Sequence, residues 1–316
     1  MPKTYLIPLK FAYPYTGHLA HCLQYYYWCL NILLLEPDAD RIIGVRAAMS
    51  MGAEFMRDFI AIIRYKFPSL AISEENDLTG QGVGRQTRVQ HVDMGCVMTK
   101  AEADLVRNGE CMERVPFDVL RWMSPLGARV LRETLRGPDH FREKPCVGII
   151  NRAPEQGRHL VNSAAIIEMI RERFDLSVEE TFFEDKNCQY QLEFNNTHDI
   201  IIAPHGANLS CTPFVPDYGL VVECANREHV PYQFFPGLSL SSGKSHCIVC
   251  DDHPFPGWTK GDDRASCGNN SRSDIHVDPE NICEAIQDFI ERRMISYKES
   301  EPHRVTLQLR GPVRVH

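Results

Sequence analysis

What most limits the fold of this chain is an alternation, between residues 146 and 223, of short strand-like runs with segments of helical spacing. Residues 146–151, 177–183, 200–203 and 220–223 read as strands, and 160–174 and 187–194 as helices between them. Helix 160–174 shows the period plainly. Leu160, Ala164, Ile167, Ile170 and Phe174 share one stripe, with Glu168, Arg171 and Glu172 largely off it. Strands joined through helices in this way form a parallel sheet covered on both faces. Ligands of such sheets lie beyond the carboxyl ends of the strands. The residues after Asn151, Ala203 and Glu223 are therefore where chemistry is expected.

The first half carries signals of the same kind. Segment 4–9 reads as a strand, 18–35 as a long helix apolar on most faces, 42–45 as a short apolar run and 55–65 as a helix. A run at 70–72 leads into a polar loop over 73–90. Helical spacing returns over 117–135 and stops at Gly137 and Pro138, which sets a domain boundary near 137–145. Asp278 caps and Pro279 opens a last helix to residue 297, with Ile282, Ile286, Phe289 and Ile290 on its apolar face. Segment 239–273 reads as loop around one strand, and the C-terminal residues as loose. A chain of 316 residues suits two α/β domains of about 120–180 residues each. They are expected at 1–140 and 141–316, with the last helix able to pack back on the first.

A formal charge of −8 with 43% hydrophobic residues describes an ordinary folded protein, not a surface built to attract nucleic acid. The apolar stretch 22–35 carries Gln24 and Asn31 and is shorter than the roughly 20 residues a membrane span requires. The start, Met1, Pro2, Lys3, Thr4, leads into a strand and not into a secretory signal, so the chain reads as soluble, without a transmembrane segment. Twelve cysteines, spread singly through strands and helices, read as free thiols and not as a disulfide framework. Asn-x-Ser/Thr triplets at Asn195, Asn208 and Asn269 leave this unchanged, because such short matches arise often by chance.

Two segments carry the chemistry. The apolar run from Asp199 ends in His205, Gly206, Ala207 and Asn208, a strand leading through a tight turn into a short helix. Gly206 lets the backbone approach a ligand, and the first N–H groups of the helix can bind an anion. His205 stands beside that anion or packs at the strand end; the sequence alone leaves both readings open. The second segment places Arg152 at the end of strand 146–151, with Arg158 and Asn162 after it, four residues apart and so on one helix face. Two arginines at a sheet mouth suit a diphosphate, because a guanidinium keeps its charge and makes paired hydrogen bonds.

Arg152, Arg158, Asn162 and Gln191, then Asp199 through His205, Gly206, Ala207, Asn208 and Leu209, then Pro216 and Glu223, together resemble glycosyltransferase family 61. That group holds plant core xylosyltransferases and related arabinosyl- and N-acetylglucosaminyltransferases. The match runs well over 147–223. The resemblance implies a GT-B fold, with two Rossmann-like domains facing across a cleft, UDP-sugar donors and an inverting mechanism. It implies that the C-terminal domain holds the donor through Arg152, Arg158, Asn162, His205, Gly206, Ala207, Asn208 and Glu223, the last on the ribose, while the N-terminal domain takes the acceptor. Near Thr16, Gly17 and His18 the chain resembles the family's histidine-containing helix start. Cys22 stands where an acidic residue is common, so His18 or His21 is the expected base, His18 preferred for its place at the helix start.

The implied function is transfer of a sugar, xylose favoured, from a UDP-sugar to a glycan or protein hydroxyl. Arginines and helix dipole take the role of a metal, and no cofactor is expected. The rival is a noncatalytic nucleotide- or glycan-binding protein of the same fold. Relatives work in the secretory pathway; the lack of anchor or signal favours a cytoplasmic setting, viral or microbial, over a trimmed Golgi-lumenal domain. Four short motifs are set aside. Asp38 and Asp40 lie in a turn, Ser242–Gly243–Lys244–Ser245 lacks the glycine spacing and following helix of a P-loop, Cys247 and Cys250 lack a second close pair, and Gly80, Gly82 and Gly84 follow no clean strand.

Overall fold

The structure is a computed structural model, and it describes residues 3–8, 41–46, 54–66, 68, 70–74, 88–92, 111–115, 125–136, 141–226, 235–250, 273–299 and 307–310. Two compact units divide between Gly127 and Ala128. The first unit holds strands β1 (Lys3–Pro8), β2 (Arg41–Arg46), β3 (Leu70–Glu74), β4 (Arg88–Val92) and β5 (Cys111–Val115), with helix α1 (Glu54–Lys66). Its sheet has the order β3-β2-β1-β4-β5 and every pairing is parallel, a Rossmann-like arrangement. α1 buries Phe59 and Ile63, four residues apart on one stripe. β4 begins inside the expected 73–90 loop, and β5 was not expected. The expected helix 18–35, with His18 and His21, lies outside the described residues, as do Asp38, Asp40 and the Gly80–Gly84 run.

Helix α2 (Pro125–Arg136) ends before the expected 137–145 boundary, and the unit division falls inside it. Its last turns belong with the second unit, where Arg129 and Arg132 reach Asp217. That unit continues with β6 (Val147–Asn151), α3 (Ser163–Phe174), β7 (Val178–Phe182), α4 (Cys188–Thr197) and β8 (Ile200–Pro204). A 3-10 helix (Ala207–Phe214), β9 (Leu220–Ala225), α5 (Phe235–Ser241), β10 (Ser245–Cys250), α6 (Pro279–Glu299) and β11 (Leu307–Arg310) complete it. The sheet order is β11-β10-β9-β8-β6-β7, parallel throughout.

The chain moves outward from β6 to β7, then returns across β6 to lay down β8, β9, β10 and β11 on the other side. The reversal makes the β6/β8 boundary the topological switch point, and sheets of this kind take their ligands beyond the strand ends at such a point. Successive residues of each strand point to opposite faces. One face packs Val147, Ile149, Ile200, Ile202, Leu220, Val222, Cys247 and Val249 against α3 and α6 in a continuous core. The other carries Val221, Glu223, His246 and Ile248, all buried.

Capping follows the expected chemistry at two helices. Asp278 Oδ1 accepts from Glu280 N at 2.9 Å, and Asn187 Oδ1 accepts from Tyr190 N at 2.9 Å. α3 departs from its expectation. It starts at Ser163, while Leu160 forms an isolated parallel bridge to Ile275; Ile166 and Ile170 are its buried residues, and Ala164 faces solvent. The apolar face of α6 is spent in the second unit's own core. β11 replaces the expected loose C-terminal stretch with an edge strand. The seven cysteines whose side chains are described are free thiols. Burial pushes the Cys247 thiol up to about 12, which makes it a small hydrophobe in function. Asn195 is buried and donates to Gln191 O, so its triplet offers no accessible amide.

Candidate active site

At the end of β6 the chain needs a sharp, fixed turn to reach α3, and Asn151 supplies its anchor. The Asn151 side chain is buried. Its amide nitrogen donates to Leu160 O at 3.1 Å and to Glu180 Oε1 at 2.8 Å, and its oxygen accepts from Arg152 N at 2.8 Å and Leu160 N at 2.9 Å. One residue thereby closes the 152–160 segment into a loop. Glu184 accepts from Ala153 N, Asp274 accepts from His159 N, and the His159 ring meets Arg152 O at 2.5 Å. Gly157 and Arg158 sit at φ +68° and +60°. The second is a left-handed conformation that costs a side-chain-bearing residue about 1–2 kcal/mol.

That turn aims Arg158 at the end of β8, where its Nη1 donates to His205 O at 2.9 Å. Gly206 is buried with φ +157° and ψ −175°, a region that glycine alone occupies readily. A Cβ there would stand 2.7 Å from Arg152 Nη1 and 3.5 Å from Arg158 Nη1. Both guanidiniums therefore converge on the backbone at Gly206, across the β6/β8 switch point. The 3-10 helix begins at the next residue, with no side-chain cap, and Leu209 N donates to Gly206 O at 3.0 Å. The amides of Ala207 and Asn208, as its first residues, have no carbonyl within the helix to bond. Two permanent positive charges and these amides polarise one small notch.

Behind the notch lies a row of polar side chains. His205 is partly buried and bonds through Nδ1 to Glu223 Oε1. Glu223 is fully buried, and its Oε2 meets His246 Nε2 at 2.9 Å. His246 Nδ1 in turn meets Ser239 Oγ at 2.8 Å. Burial pushes the Glu223 carboxyl up, but hydrogen bonds from the two imidazoles outweigh it and hold it below the ordinary 4.5. Phe235 stacks edge-on to the His205 ring at 5.4 Å.

The expected site residues thus fall into three groups. Arg152, Arg158, His205, Gly206, Ala207 and Asn208 come together at the notch. Asn162 does not share a helix face with Arg158, because Arg158 is in the loop; Asn162 is the residue before α3, and its side chain donates to Val277 O at 2.7 Å, a structural tie. Glu223 lies behind His205, with each oxygen against an imidazole, so it does not stand where a ribose hydroxyl could reach it directly. His246 and Ser239 were not anticipated. Strand alternation held the signal for His246: it sits two residues before Ile248, which pairs with Glu223, and so shares that residue's face.

The two set-aside motifs among the described residues, Ser242–Ser245 and Cys247 with Cys250, resolve into packing. Gly243 turns the chain at φ +78°, and the buried Lys244 donates to Asp217 at 3.1 Å. Among the described residues no group of three or more His, Cys, Asp or Glu side chains could hold a metal ion. No described helix is long and apolar enough to cross a membrane.

The family model for Glycosyltransferase 61 matches residues 38–222, more than half of the chain. It takes in Arg152, Arg158 and the His205–Gly206 turn, and begins after His18 and His21. No curated protein matches the sequence.

Proposed function

We propose that this chain, which belongs to the glycosyltransferase 61 family and is by that membership a sugar-transferring enzyme, takes its sugar from a UDP-sugar whose diphosphate occupies the notch at Gly206. The reading rests on the convergence of Arg152 and Arg158 on the Gly206 backbone at the switch point. Departure of a nucleoside diphosphate leaves negative charge on its terminal phosphate, and preorganised donors aimed at developing charge are the strongest lever a site of this kind has. Guanidiniums hold their charge at every working pH and bond phosphate oxygens in pairs. With the first amides of the 3-10 helix they fill the part a divalent metal takes elsewhere.

In this reading a GT-B fold brings an acceptor hydroxyl of a glycan or protein to the anomeric carbon opposite the leaving group. The configuration inverts. His18 or His21 takes the hydroxyl proton, since an imidazole titrates near neutrality. Xylose is the favoured sugar. Glu223 serves through His205 and not on the ribose.

The test is Arg158→Ala in the full chain. Loss of one well-placed donor of this kind typically costs about 2.7–4 kcal/mol, a hundredfold or more in turnover. A folded variant that transfers sugar at near wild-type rate would refute the assignment. Activity should also persist in excess EDTA; its loss there would refute the metal-independent part.

A further inference from the structure

Every hydrogen-bonding position of the Asn151 amide is committed. Its oxygen accepts from Arg152 N at 2.8 Å and Leu160 N at 2.9 Å, and its nitrogen donates to Leu160 O at 3.1 Å and to Glu180 Oε1 at 2.8 Å. The fourth of these partners comes from the neighbouring strand. Ile149 pairs with Glu180 in the β6/β7 register, so Asn151, two residues on, shares that face and lies diagonally across from the carboxylate. Asn151 is fully buried and Glu180 half-buried. Among the described residues Glu180 makes no ion pair; the bond it does make is to a neutral amide. An ionised carboxylate only accepts, so it holds the amide nitrogen on the β7 side and leaves the oxygen turned to the two N–H groups that begin and end the loop. We infer that Glu180 is a positioning residue: acting through Asn151, it fixes the loop that carries Arg152 and Arg158 to the Gly206 backbone.

The inference rests on the diphosphate reading only for what the two arginines meet; the hold on the loop follows from the bonds to Asn151. Without Glu180, a buried N–H of Asn151 loses its acceptor, and Ser163 Oγ, at 3.4 Å, is too distant to replace it. The amide then gains by turning, and any turn withdraws its oxygen from Arg152 N and Leu160 N together. Arg158 stands two residues before Leu160 at φ +60°, so slack at Leu160 reaches the guanidinium that bonds His205 O. What Asn151 requires of residue 180 is an acceptor and not a charge, and the amide oxygen of a glutamine meets that need. A negative charge close to an anion seat also works against the anion, so its removal with the acceptor kept should not weaken binding.

The test uses the full chain, with UDP affinity read by calorimetry and amide exchange at Arg152 and Leu160 read by NMR. Glu180→Leu has similar volume and no acceptor. UDP should bind it about tenfold more weakly, and both amides should exchange about tenfold faster. Glu180→Gln keeps the acceptor and should restore wild-type exchange, with UDP bound no more weakly than in wild type. Because Glu180 works through Asn151, Glu180→Leu added to Asn151→Leu should cost UDP affinity little beyond Asn151→Leu alone. A Glu180→Leu variant that melts lower yet matches wild type in UDP affinity and exchange has lost packing alone, and the inference is overturned. It is overturned equally by a Glu180→Gln variant as impaired as Glu180→Leu. Fully additive losses in the double variant would mean that Glu180 meets the ligand itself, against the route through Asn151. Should Glu180→Leu fail to fold, Glu180→Ala takes its place under the same outcomes. A wild type that ignores UDP while the two amides respond as described would sink the diphosphate reading and spare the hold on the loop.

Discussion

Gly206→Ala isolates the notch with a single methyl group. The new Cβ would fall 2.7 Å from Arg152 Nη1, closer than carbon and nitrogen tolerate, and 3.5 Å from Arg158 Nη1, an ordinary contact. The atom that must yield is the far end of a flexible side chain, so Arg152 swings away and the backbone stays. Alanine at φ +157° and ψ −175° adds strain of about 1–3 kcal/mol, which lowers the melting temperature without unfolding a protein of ordinary stability. Displacing Arg152 removes a hydrogen bond to a charged phosphate, worth about 1.5–3 kcal/mol, or roughly tenfold to a hundredfold in UDP affinity. Calorimetric titration of UDP reads the second effect, and a thermal melt without ligand reads the first. A double-mutant cycle separates the route from the result. If the methyl acts by moving Arg152, then Gly206→Ala in an Arg152→Ala background should cost UDP affinity little more than Arg152→Ala alone. Wild-type affinity in the single variant would refute the proposed seat of the diphosphate, and fully additive losses would refute the route through Arg152.

Two further variants probe the frame that holds the notch. Asp217 is approached by Arg129, Arg132 and Lys244; burial pushes its carboxyl up, but the charges of Lys244 and Arg132 hold it well below the ordinary 3.8. A carboxyl held low contributes stability that is complete above its ordinary value and is lost as pH falls through the depressed native one. Asp217→Asn should therefore destabilise by about 3–5 kcal/mol at neutral pH, because buried cations lose their carboxylate. The deficit should shrink on acidification below about pH 4; urea melts at both pH values check it, and an equal deficit at both would contradict the ion-pair account. Asn151→Leu keeps the volume but strips the 152–160 loop of its anchor, so amide exchange at Arg152 and Leu160 should quicken at least about tenfold, as expected for about 1–3 kcal/mol of lost hydrogen bonding. Unchanged exchange there would mean that the loop is held by other contacts.

The second unit's framework was legible in the sequence because its strands are short apolar runs punctuated by polar turns, and the helices between them keep a steady period. The run from Asp199 to Asn208 gave both strand and turn, since Gly206 has one physical reason to stand there. Elements without a local signal escaped. β5, with Cys111, Glu113 and Arg114, alternates too weakly to read as a strand, and β11 is an edge strand whose pairing to β10 supplies what its four residues lack. Asn162 shares no helix face with Arg158 because helical spacing does not extend back through Leu160: Gly157 and Arg158 take left-handed conformations that end the period. Glu223 lies two residues before the end of β9, and its bond to His246, twenty-three residues later, was not legible because no local pattern announces a hydrogen bond across two strands.

The geometry at Arg158 explains why the notch can act without first being assembled. A left-handed arginine costs about 1–2 kcal/mol, and the chain retains that conformation because the loop is over-determined: Asn151 fixes both ends, Glu184 and Asp274 hold Ala153 and His159 just inside them, and Arg158 itself is tied to the His205 carbonyl. That last bond joins the two strand ends on either side of the switch point, so the distance from Arg158 to the Gly206 turn is set by the fold before any ligand arrives. Like charges drawn together at Arg152 and Arg158 raise the positive potential of the site at a cost borne by folding, not by binding. On the proposed reading a diphosphate would relieve that repulsion instead of ordering two long side chains, each of which would otherwise lose rotamer freedom worth about 0.5–1.5 kcal/mol on immobilisation. The strained loop and the proposed anion seat are in this sense one property, placed where the sheet reverses its winding.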